Sequence, residues 1–158
     1  FDGYVERSNR RQADKLLRDT VASHFEVLWQ NISELQRNFI SEGRIEMVDD
    51  LEAASIKLRQ FIDRVKNAAH GYAGFFDAVK VKQEELAAIY EYDLRFLDLE
   101  DEITRAIDNI HASVGTDGLP AAIRNLVTLS QDCVNAFEKR KEVILSLSSD
   151  VVSDDSEN

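Results

Sequence analysis

The chain has 158 residues, a formal net charge of −11 and a hydrophobic content of 44%. That length suits one domain able to bury a core of its own, and the apolar content excludes a wholly disordered chain. The acid excess argues against binding nucleic acid through the whole surface, and one cysteine, Cys133, excludes an intrachain disulfide and a single-chain thiolate metal cluster.

One proline, six glycines and 31% charged residues favour helix over sheet. There is no signal-peptide pattern and no apolar run of membrane-spanning length. The sequence starts at Phe1 and not at Met, so the chain is expected to be a fragment or processed form of a longer protein.

Asp2 can cap a first helix. Val21, Phe25, Leu28, Ile32, Leu35 and Phe39 then alternate in steps of four and three, the spacing of one helical face. Leu16, Leu17, Trp29 and Ile40 are expected to widen that face, as a bundle requires and a two-stranded coil does not. Ser41-Glu42-Gly43 ends the helix, with Gly43 in the left-handed conformation.

A second helix is expected from about Ile45 to Ala69, on a stripe of Val48, Leu51, Ser55, Leu58, Ile62, Val65, Ala69 and Tyr72, with Ile45 and Phe61 beside it. The stretch Gly71–Lys82 follows. Gly71 and Gly74 disfavour a helix interior, so this stretch is read as the joint that folds two helix pairs together.

Beyond it, Gln83-Glu84-Glu85 looks like a first turn, the acids matching the helix dipole. Leu86, Ile89, Phe96, Ile103, Ile107, Ile110 and Val114 share a face that Asp93 and Glu100 interrupt. The third helix should end near Gly115, and Pro120 fits the start of a fourth. That helix carries Leu119, Ile123, Leu126, Ser130, Cys133, Phe137, Ile144 and Leu147. From Ser148 the chain is polar and acidic, and it is expected to be a disordered tail.

The predicted fold is all-α: an antiparallel up-down four-helix bundle with long helices over residues 1–147 and an acidic tail over 148–158. The competing arrangement fuses the second and third helices into one rod of about 105 Å that needs a partner chain.

In the bundle, the N-terminus, the Gly71–Lys82 joint and the end of the fourth helix share one pole. Arg7, Arg10, Arg11, Lys15, Lys66, Lys80, Lys82, Lys139, Arg140 and Lys141 map towards it. Phe75, Phe76, Lys80, Lys82, Arg10 and Arg11 are the candidate partner-binding residues, with the phenylalanines as anchors. The plainer reading, favoured on the cost of exposed aromatics, folds Phe75 and Phe76 inward to plug the bundle and leaves the cations as a solvated rim.

No catalytic, cofactor or metal residues are assigned. A di-iron bundle needs Glu-x-x-His pairs, and none of His24, His70 and His111 follows a Glu at that spacing. Asp93 and Glu100 are expected to pair with an arginine such as Arg59 or Arg64, or to lie at the edge of the face, rather than to hold a metal. No hydrolase elbow, zinc-protease motif or phosphate loop is present.

Cys133 lies on an apolar stripe and reads as a small hydrophobe. The expected function is therefore a non-enzymatic helical interaction or scaffold domain in a larger protein or assembly. Its expected partner is a protein or a second copy, and its expected compartment the cytoplasm. The alternatives are a peripheral binder of anionic membranes or ligands and, last, a metal-dependent helical-bundle enzyme. No cofactor and no nucleic acid are expected.

Overall fold

The computed structural model describes the backbone of residues 2–68 and 83–156, with side chains for Gln12, 15–68 and 91–146. The expected joint at Gly71–Lys82 lies outside the described residues. Among those described, the chain forms α1 (Asp2–Ser41), a 3-10 turn (Ile45–Met47), α2 (Val48–Asn67), α3 (Gln83–Ser113) and α4 (Leu119–Ser156).

The helices begin and end where local chemistry dictates. Gly43 stands at φ 78°. The Arg44 amide donates to the Phe39 carbonyl at 2.8 Å and the Gly43 amide to Ile40 at 3.1 Å, the paired bonds that close a glycine-terminated helix. Asp49 and Asp50 occupy the first turn of α2, and Arg64 and Lys66 its last, both favourable to the helix dipole.

Gly115, at φ 81°, turns the chain after α3. The Thr116 hydroxyl accepts from the Gly118 amide at 3.2 Å, and Pro120 lies in the first turn of α4.

The fold is an all-α four-helix bundle, as the stripes predicted. α1 packs on α2 and α3, and α4 packs on α2 and α3, so α2 and α3 occupy opposite corners. Cross-helix contacts fix the directions. Glu26 meets Arg59 while Gln36 meets Glu52, so α1 and α2 are antiparallel.

Lys57 meets Gln131 while Arg64 meets Glu138, each 74 positions further on, so α2 and α4 are parallel neighbours. The up-down-up-down order holds, and the fused rod is excluded because α2 and α3 run in opposite senses. We call the end with the Gly43 and Gly115 turns the upper end.

Each core level draws on all four helices. Leu51, Ser55 and Leu58 of α2 are matched on α4 by Leu126, Ser130 and Cys133 at nearly the same interval, and all six are buried. Lower down, each helix contributes one phenylalanine. Phe61 meets Phe25 at 4.7 Å, Phe96 at 5.3 Å and Phe137 at 6.4 Å between ring centroids, all edge to face. Edge-to-face contact sets the positive rim of one ring against the negative face of another.

Several expectations change. Leu16, Ile40 and Ile45 do not widen the buried face; they are 69%, 55% and 68% exposed. Leu17 and Trp29 are half-buried against the core, and Phe61, read as flanking, is at its centre. The helices range from 20 residues in α2 to 40 in α1, or about 30 to 60 Å.

From Ser148, where a tail is expected, the described backbone of α4 runs to Ser156, and the side chains lie outside the described residues. No glycine or proline follows Pro120, so nothing in the backbone stops the helix.

Candidate functional site

Of the candidate partner-binding residues, Phe75, Phe76, Lys80 and Lys82 lie outside the described residues, and Arg10 and Arg11 lie on the α1 backbone with side chains outside them. Elsewhere on the basic pole, Lys15, Lys139 and Lys141 are exposed. Lys66 donates to Glu26 at 3.5 Å.

Arg140 does not belong to the rim. Its side chain is 1% exposed, and its Nε donates to Asp93 Oδ1 at 2.7 Å, with the Asp93 side chain 4% exposed. The spacing carried that signal: Phe137, Arg140 and Ile144 follow in steps of three and four, so Arg140 continues the apolar stripe. Of three consecutive cations about 100° apart around a helix, one must face inward when its neighbours on the stripe do.

The expectation that an arginine answers Asp93 holds, but neither Arg59 nor Arg64 is that arginine. Arg59 reaches Glu26 on α1, and Arg64 reaches Glu138 on α4 at 2.6 Å. Glu100 accepts from His24 Nδ1 at 2.9 Å. The two acids that interrupt the α3 stripe are thus engaged by different helices, α4 and α1, which leaves them no common ligand.

Breaking a buried pair by removing one partner costs about 3–5 kcal/mol, because a charge is left in a medium that solvates it poorly.

Charge on the α1–α2 seam is arranged as a short network. Glu26 takes two hydrogen bonds from Arg59, at 2.7 and 3.2 Å, and Arg59 also faces Asp63 at 3.7 Å. The guanidinium lies 4.2 Å from the centroid of the Trp29 ring, where the electron-rich face attracts a cation. The hydrogen bond from Arg59, outweighing partial burial, holds the Glu26 carboxyl below its ordinary range.

Cys133 is fully buried, and burial pushes its thiol well above the ordinary range, with the nearby carboxylates of Asp132 and Glu102 adding to the shift. Such a thiol is not a nucleophile.

Two grooves flank the buried pair. One runs between α3 and α4, lined by Tyr92, Arg95, Ala136, Lys139 and Val143. The other lies between the end of α2 and α4, lined by Ala68, Phe137, Lys141 and Leu145. Among the described residues no group of three or more His, Cys, Asp or Glu side chains is placed to hold a metal ion, and no helix is long and apolar enough to cross a membrane.

Fold and site together define a helical bundle whose buried charges join helix to helix. Compared with known proteins, the chain matches no family model, no curated protein and no solved structure.

Proposed function

We propose that the chain is a non-enzymatic helical interaction or scaffold domain, part of a larger protein or assembly, with a protein or a second copy of itself as partner. The observation that supports this reading is where the reactive side chains go. Asp93, Glu100, His24, Glu26 and Arg59 are engaged in contacts between helices, and the one thiol is sealed in the core. What the fold presents outward is long helical surface, with Val27, Ile56 and Leu94 more than half exposed on three different helices.

Photo-crosslinking from Val27, Ile56 and Leu94 tests it. A saturable adduct with one defined protein, competed by unlabelled chain, supports the reading. Adducts that never saturate would sink it. Sedimentation over a range of concentrations separates self-association, a mass that climbs above 18.0 kDa, from a heterologous partner.

A second reading keeps an anionic membrane or ligand as the partner. Lys15, Lys139 and Lys141, exposed towards the lower end, favour it. Co-sedimentation with anionic vesicles that is lost in Phe75→Ala/Phe76→Ala supports it, and equal binding to neutral vesicles removes it. The interaction reading places the chain in the cytoplasm, where a free buried thiol such as Cys133 persists without oxidation.

A further inference from the structure

We propose that the α3–α4 seam docks an amphipathic helix of a partner protein, one with acidic flanks at its two ends and a basic flank at its middle. The site rests on the interaction reading and gives it a surface and a partner class. Two hollows lie along this seam, of about 660 and 390 Å³. Every residue that lines them has its side chain among those described.

The two hollows are one feature, repeated. On α3, Tyr92 and Arg95 line the lower hollow, and Ala106 and Asn109 the upper. On α4, Val143 and Lys139 line the lower hollow, and Leu129 and Asn125 the upper. Each position in one hollow lies fourteen residues from its counterpart in the other, forwards on α3 and backwards on α4, as antiparallel helices require.

Fourteen residues are two heptads, or about 21 Å of helix. A helix laid along the seam presents side chains on one face at that same interval, so two apolar residues fourteen apart enter both hollows. A small molecule seated in one hollow leaves the repeat unused.

Charge specifies the flanks of that helix. Arg95 and Lys139 bound the lower hollow from its two sides, against Glu91. Arg105 bounds the upper. Between them, Asp98 lies one heptad from both Glu91 and Arg105, and Asp132 one heptad from both Lys139 and Asn125. Glu102, which meets Arg95 at 3.5 Å, adds to the acids of this middle stretch. The seam therefore reads basic, acidic, basic along its length, in a chain of net charge −11. Its complement reads acidic, basic, acidic, an arrangement that selects partner and direction.

A second copy does not supply such a helix from its described surface. Among the described residues, no helix exposes two large apolar side chains fourteen positions apart. The partner is a different protein.

Two synthetic helical peptides of about 25 residues test the site, with binding to the full chain read by fluorescence anisotropy. Both carry apolar residues at heptad spacing on one face. One flanks that face with Glu, Lys and Glu in successive heptads, the other with Lys, Glu and Lys, and their outer faces equalise the net charge. The first peptide should bind about tenfold tighter than the second. Lys139→Glu should weaken it about tenfold, while Arg37→Glu, the same charge change at an exposed position on α1, should alter it less than about twofold.

Equal binding of the two peptides overturns the proposal. So does an equal loss in Lys139→Glu and Arg37→Glu, or no binding of either peptide below about 100 μM. If the peptides fail while crosslinks from Val27, Ile56 or Leu94 still saturate, the seam is not the site and the interaction reading stands. If those crosslinks also fail to saturate, that reading falls with it.

Discussion

Glu26 on α1 accepts both terminal nitrogens of Arg59 on α2, at 2.7 and 3.2 Å, while the same guanidinium lies over Trp29. A two-point contact of this kind fixes orientation as well as distance. The carboxyl titrates below its ordinary value in the folded chain, chiefly because Arg59 hydrogen-bonds its charged form.

A lowered carboxylate pKa gives a definite sign. The stabilisation is fully present above the unfolded pKa, near 4.5, and is lost as pH falls through the lower folded value. Glu26→Gln should therefore cost about 0.5–1 kcal/mol at pH 7, modest because the pair is partly solvated. The difference from the unmodified chain should shrink below pH 4.5. Urea denaturation of both proteins from pH 3 to pH 7 measures it. A difference that grows in acid contradicts the assignment.

Phe61 touches three other rings and is fully buried, so its truncation removes contacts to the three other helices. Phe61→Ala should cost about 4 kcal/mol, from lost burial plus the cavity left behind. Phe61→Leu keeps most of the volume and should cost under about 1.5 kcal/mol. Thermal melts compare them, and equal losses would mean that the rings stack without packing.

Gly43 gives a cleaner separation of conformation from packing. Nothing lies within 4 Å of where its Cβ would be, yet its φ is 78°. Gly43→Ala therefore meets no neighbour and should lose about 1–2 kcal/mol from backbone strain alone. Gly118→Ala is the control, since φ there is not in the left-handed region and the added Cβ makes ordinary contact with Thr116. Chemical denaturation should rank the two, with Gly43→Ala the weaker protein.

The stripes explain why so much of the fold was legible. Val21 to Phe39, and Leu51 to Val65, repeat at helical spacing and are buried as that spacing requires. Gly43 and Pro120 mark boundaries through local backbone chemistry, which needs no tertiary information. The lateral order of helices was not legible. Periodicity says which face is apolar, not which helix covers it, and nothing local tells α2 to sit beside α4.

The same gap misassigned Asp93. Its stripe position showed that it needed a cation, but choosing Arg140 over Arg59 or Arg64 depends on which helices are neighbours. Arg140 itself was hidden by Lys139 and Lys141, whose charge made a buried position look like a rim. Leu16, Ile40 and Ile45 erred the other way: apolar character alone suggested burial, although isolated apolar side chains are common on protein surfaces.

Cys133 reports on the upper core. It is fully buried at a level with Leu58, and its thiol is held in the protonated form by burial first and by Asp132 and Glu102 second. A thiolate-directed reagent must therefore wait for the core to open. In the folded chain, modification should be slower than in urea-unfolded chain by a factor of about 10³ or more, the inverse of the fraction unfolded. The rate should rise with urea in parallel with global unfolding, because Cys133 is sealed within the continuous core. Phe61→Ala, which weakens the whole bundle, should speed the reaction. Rapid labelling of the unmodified chain without denaturant would show that the level of Leu58 and Cys133 opens locally, against the packing described.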